Sequence, residues 1–86
     1  MPLSFGDETP SGFDGDVFTF VMWEGETRVV CQASREAIKR AMERKGVHDP
    51  RIAFAMFKSQ FGALASTRYD AGEQPPRITE ADVEGF

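Results

Sequence analysis

One cysteine, one histidine and a cluster of cations are the residues of this 86-residue chain with the most chemistry to offer. Cys31 stands just before a helix signal at Ser34, and Arg35 is close in sequence. A nucleophilic thiol needs its pKa lowered by a helix N-terminus or a cation, so the position invites a thiol-enzyme reading. Strand alternation argues the other way. It places Cys31 on the apolar face of a sheet, where a thiol behaves as a small hydrophobe. His48 lies beside Asp49 in a loop between two helices, where a lone imidazole is normally solvated. A Cys31–His48 pair would have to meet across the first helix, which at about a dozen residues is roughly 18 Å long. The chain holds no Cys-x-x-Cys, no His-x-x-x-His and no carboxylate pattern of a calcium loop. We expect no catalytic residue, no metal and no cofactor. Asp14 and Asp16 around Gly15 read as turn chemistry.

The cations are Arg35, Lys39, Arg40, Arg44 and Lys45, set against Glu36 and Glu43. Arg35/Lys39 and Arg40/Arg44 are like-charge pairs at i,i+4, offset by Glu36/Arg40 and Lys39/Glu43. The plain reading is a solvated helix face. The sharper one is a docking face for an acidic partner or a phosphate backbone. Trp23 is the other lead, on a sheet face with Val17, Val21 and Val30. Arg35, Lys39, Arg40, Arg44 and Trp23 are therefore the candidate partner-binding residues.

The elements that must position these residues begin with a hairpin. Phe18, Phe20 and Met22 alternate with Val17, Thr19, Val21 and Trp23, as a strand requires. Glu24-Gly25 is the expected two-residue loop, pairing Trp23 with Glu26, Phe20 with Val29 and Phe18 with Cys31. Phe18, Phe20, Met22, Val29, Cys31 and Ala33 then share one apolar face that needs a cover. The opposite face is expected to be covered by Phe5 or Phe13, the alternative being a second subunit.

Before the hairpin, residues 1–15 read as loop, punctuated by Pro2 and Pro10, with Leu3–Phe5 as an extra edge strand. After it, Ser34 caps a first helix that ends at Gly46. Asp49-Pro50 starts a second helix running to about Tyr69. In that helix Phe54, Phe57, Phe61 and Leu64 form the broad apolar stripe. Gly62 inside it marks close approach of another backbone, from a strand or a partner subunit. Residues 71–76 are a linker. Residues 76–79 form a short strand, and Thr79 with Asp82 resembles a capping pair for a last turn holding Val83.

Composition bounds the answer. Hydrophobic content of 41% and charged content of 28% fit one small globular domain. No apolar run reaches the roughly 18 residues of a membrane span. The first residues lack the pattern of a secretory signal. A single cysteine fits a reducing cytoplasm. A net charge of -4 argues against general nucleic-acid binding.

The passage Val29-Val30-Cys31-Gln32-Ala33-Ser34-Arg35-Glu36-Ala37 resembles the bacterial family catalogued as domain of unknown function 1488. So do Ala53-Phe54, Lys58, Phe61, Leu64-Ala65, Arg68-Tyr69-Asp70-Ala71-Gly72 and Ile78-Thr79-Glu80-Ala81-Asp82-Val83. Order and spacing over residues 17–83 carry the likeness. Lys58 replaces an expected Arg and loses its bidentate geometry, and Phe61 replaces an aliphatic residue. The resemblance implies a small bacterial α+β protein and brings no activity.

The expectation is an α+β fold in two layers. An antiparallel sheet of three or four short strands carries two helices on one face, in the order β-β-α-α-β. The expected function is a cytoplasmic, non-enzymatic binding or regulatory accessory module with a protein partner, as a homodimer in one version. The alternatives are an enzyme using Cys31, and nucleic-acid binding through the first helix.

Overall fold

The computed structural model describes residues 3–6 and 11–86. Pro2 and Pro10, read above as loop punctuation, lie outside the described residues. Strands β1 (Ser11–Asp14), β2 (Val17–Glu24) and β3 (Thr27–Ser34) form a meander. Helices α1 (Arg35–Lys45), α2 (Pro50–Met56) and α3 (Lys58–Asp70) follow, then β4 (Arg77–Ile78) and α4 (Glu80–Glu84). The sheet order is β1-β2-β3-β4. β1–β2 and β2–β3 are antiparallel, but β4 pairs with β3 in parallel through Gln32↔Arg77 and Ala33↔Ile78. The sheet is therefore mixed, which corrects the antiparallel expectation. A parallel neighbour needs a long crossover connection, and the three helices between β3 and β4 supply it.

The hairpin loop is Gly25-Glu26, not Glu24-Gly25. Gly25 takes φ 60 at the first loop position, the type II′ pattern, and Glu24 pairs with Thr27. The pairing becomes Trp23↔Arg28, Phe20↔Cys31 and Phe18↔Ala33. This is two residues away from the expected register. An even slip leaves every side chain on its face, so Phe18, Phe20, Met22, Val29, Cys31 and Ala33 are all buried.

The expected strand at Leu3–Phe5 is only a bridge. Ser4 and Trp23 exchange backbone hydrogen bonds of 2.9 and 2.7 Å. The true edge strand is β1. Leu3 and Phe5 turn inward instead. Leu3 donates its N–H to Ser66 Oγ at 2.9 Å, and the Phe5 ring lies 6.3 Å from Phe20 and 6.1 Å from Phe54. Phe13, 44% exposed, sits edge-on to Phe18 at 5.5 Å. Both rings thus join the side of the sheet that carries Phe18 and Phe20. They do not cover the side that carries Trp23 and Val30, contrary to expectation.

Helix caps follow the local chemistry. Ser34 Oγ accepts from Ala37 N–H at 3.1 Å, Gly46 takes the left-handed conformation, and Asp49 accepts from Arg51 N–H at 2.9 Å. The expected second helix is broken at Phe57, whose φ -105 and ψ 16 turn the axis. Its N–H is shared between Ala53 and Phe54 carbonyls, at 3.2 and 3.1 Å. Phe54 and Phe61 stay on the sheet, 4.9 and 6.0 Å from Phe20. Phe57 instead meets Phe86 at 5.5 Å and lies under Arg44 and Lys45.

Gly62 does mark a close approach, but of side chains. A Cβ there would stand 2.6 Å from Phe5 Cε2 and 3.3 Å from Met22 Cε. Gly62→Ala gains about 1 kcal/mol of helix propensity and meets an overpacking penalty of about 1–3 kcal/mol. We expect a net loss of about 1 kcal/mol in urea unfolding. In a Phe5→Ala background the same change should stabilise by several tenths of a kcal/mol. A stabilising Gly62→Ala in the otherwise unaltered chain would contradict the notch.

Candidate functional site

The candidate chemistry ends up dispersed. Cys31 is fully buried in the core, its thiol 3.9 Å from the Val29 carbonyl, and burial pushes its pKa up to about 12. A thiol held neutral in that way is not a nucleophile at neutral pH. His48 is exposed beyond the Gly46 cap, so the structure does not bring the two together. Among the described residues no group of three or more His, Cys, Asp or Glu is arranged to hold a metal.

The cations of α1 are largely engaged within the chain. Arg35 lies over the Phe13 ring at 5.6 Å. Arg40 Nη1 pairs with Glu43 at 3.3 Å, and its Nε stands 3.6 Å from Glu84. Arg44 donates to the Val83 carbonyl at 2.6 Å and covers Phe57 at 5.4 Å. Lys45 covers the same ring at 4.8 Å. These contacts fasten α1 to α4 and to Phe57, which explains the clustered charge without an external phosphate. Lys39 is exposed and makes no such contact among the described residues. Trp23 is partly buried; on the same sheet face Val30 is 39% exposed, while its cross-strand partner Val21 is buried.

The strongest polar constellation is one that spacing alone did not reveal. Arg68, on α3, makes a bidentate pair with Asp82 on α4, at 2.6 and 2.7 Å. It also donates to the Arg77 carbonyl on β4. Asp82 accepts from Thr79 N–H at 2.8 Å and from the Thr79 hydroxyl at 3.0 Å. The Arg68 hydrogen bond first, with help from Thr79, lowers the Asp82 pKa from 3.8 to about 2. The capping role of Thr79 and Asp82 was readable from their spacing. The partner fourteen residues upstream was not, because a long polar side chain at the edge of a helical stripe gives no sign of where it points. Nearby, desolvation first and the Glu24 carboxylate second push the Tyr69 phenol up.

Two hollows are worth describing. One, of about 610 Å³, lies at the carboxyl ends of β3 and β4 and is lined by Asp16, Ser34, Arg35, Glu36, Arg77 and Thr79. Its charges balance, and Arg77 Nε is already bonded to Gln32 Oε1 at 3.2 Å. Its hydroxyls serve helix caps: Ser34 Oγ accepts from Ala37 N–H, and Thr79 Oγ1 donates to Asp82, whose lowered pKa makes it a weak base. The other, of about 310 Å³, runs beside the outer edge of β3, between Arg28 and Val30 on one side and Tyr69, Gln74, Pro75 and Pro76 on the other.

No protein-family model, no curated protein and no solved structure matches this chain. Among the described residues no helix is long and apolar enough to cross a membrane.

Proposed function

We propose that this chain acts by binding, as an accessory or regulatory module, and not by catalysis. The observation that carries the reading is the sealing of its one thiol inside an apolar core of the described residues, apart from the exposed His48. The reading includes a two-layer arrangement in which the helices share one side of the sheet. On the other side Val21 is already buried, and the exposed part around Trp23 and Val30 is then left to a protein partner. It also includes a bacterial, cytoplasmic setting and kinship with domain of unknown function 1488, supported by the order and spacing of the residues quoted above. Nucleic-acid binding through α1 has less support, because Arg35, Arg40, Arg44 and Lys45 already have partners within the chain.

Thiol labelling tests the non-enzymatic reading. Native Cys31 should react with a thiol reagent only as fast as the protein unfolds, since a fully buried group is modified through opening. Fast labelling near neutral pH, saturating before unfolding, would restore the thiol enzyme. A homodimer through the Trp23 face should reveal itself as concentration-dependent mass in sedimentation.

A further inference from the structure

We propose that the outer edge of β3 at Arg28–Val30 takes an extended peptide as an added strand, with an apolar side chain in the cleft and an acidic one beside Arg28. The inference deepens the binding reading and rests on it.

The hydrogen-bond register shows which groups are open. Gln32 N–H points away from β2 and donates to the Pro76 carbonyl at 2.9 Å. Backbone direction alternates along a strand, so the N–H and C=O of Val30 and of Arg28 point to the same outer side. β4 pairs only with Gln32 and Ala33. The segment before β4, Gln74-Pro75-Pro76, lies across the hollow from Arg28 and Val30 and makes no backbone hydrogen bond to either, and its two prolines have no N–H to give. The outward groups of Arg28 and Val30 thus have no partner among the described residues. Glu24, Gly25 and Glu26 close the hairpin beyond, so the open edge is short and sharply bounded.

The shape of the cleft selects the occupant. Tyr69 and the 74–76 segment wall the edge on one side. Two copies pairing edge to edge would bring those walls against each other. They would also join through too few residues for the roughly 1,000 Å² or more of a stable interface. A slender chain has no such walls and can form the ladder, which is how exposed edges commonly recruit peptides. Side chains of the added strand would alternate. One set would meet Val29, Pro76 and the Tyr69 ring, which are apolar. The other would lie beside Val30 and Arg28, and Arg28 is exposed with no ion pair among the described residues. An acidic residue there is favoured, as opposite charges are across neighbouring strands.

The probe is a capped seven-residue peptide alternating valine and glutamate, added up to about 1 mM, where weak peptide binding is still measurable. Amide hydrogen exchange is read residue by residue. Without peptide, the Arg28 and Val30 amides should exchange fast while the inward Val29 and Cys31 amides are protected. With peptide, Arg28 and Val30 should slow by about tenfold or more. The same peptide N-methylated on the amides that face β3 should give no slowing. Val30→Pro should abolish the effect and keep Val29 and Cys31 protected, because an outward N–H on an edge is where proline is tolerated. Lack of slowing at Arg28 and Val30 would overturn the proposal. If the perturbed amides then lie around Trp23 instead, the general binding reading survives and only this site falls. Protection of Arg28 and Val30 that rises with protein concentration alone would also overturn it, in favour of a second copy.

Discussion

Phe61→Ala should remove about 3–5 kcal/mol of stability, the loss typical of truncating a fully buried phenylalanine. Phe61 is 0% exposed, and its ring lies 6.0 Å from Phe20, 5.3 Å from Phe54 and 5.1 Å from Phe86. It therefore joins the hairpin, α2 and the last residue in one contact set. Truncation loses burial and leaves a void among rings that are braced by the sheet on one side and cannot all collapse. A domain of this size has about 5–10 kcal/mol in total. The variant should sit near the folding threshold, with its urea midpoint at half the parent value or less. Phe86→Ala touches the same cluster from a partly exposed position and should do less. Equal effects from the two, or a loss under about 1 kcal/mol at Phe61, would show that the ring cluster does not hold the core.

Arg68→Ala is the second large effect, at about 2–3 kcal/mol near neutral pH. It removes the bidentate partner of Asp82 and the donor to the Arg77 carbonyl, so α4 and β4 both lose their link to α3. Asp82 has its carboxyl pKa lowered from 3.8 to about 2 in the folded protein. A lowered folded pKa stabilises above the unfolded value and stops doing so as pH falls through the folded one. The contribution should thus be complete above about pH 5 and fade from about pH 4 to pH 2. After allowance for solvent screening, that fading is worth about 1–2 kcal/mol. Arg68→Ala should shrink that part of the acid sensitivity to what the Thr79 hydrogen bonds retain, and Asp82→Asn should abolish it. Parallel stability-versus-pH curves for the parent and Arg68→Ala would refute the linkage.

Much of the fold was legible where local chemistry decides. Alternation named the buried face of the hairpin, and the Ser34, Gly46 and Asp49 caps were readable because a cap depends on a residue and its neighbours only. The loop was off by one position at each end because Gly25 can serve a two-residue turn from either place. The break at Phe57 carries no glycine or proline, so nothing local announces it. It arises because Phe57 packs on Phe86 and under Arg44 while Phe54 and Phe61 pack on Phe20. The parallel sense of β4 and the Arg68–Asp82 pair are equally non-local. The cations of α1 were visible as a cluster, but a sequence cannot show that aromatic rings and a helix end wait beneath them.

Among the described residues the interior holds no buried polar or charged side chain. Among those residues there is no internal acid to protonate and no fully buried hydroxyl to modify. The polar links sit at the rim instead, where Glu24 meets Tyr69 and Arg68 latches α4 to α3 through Asp82.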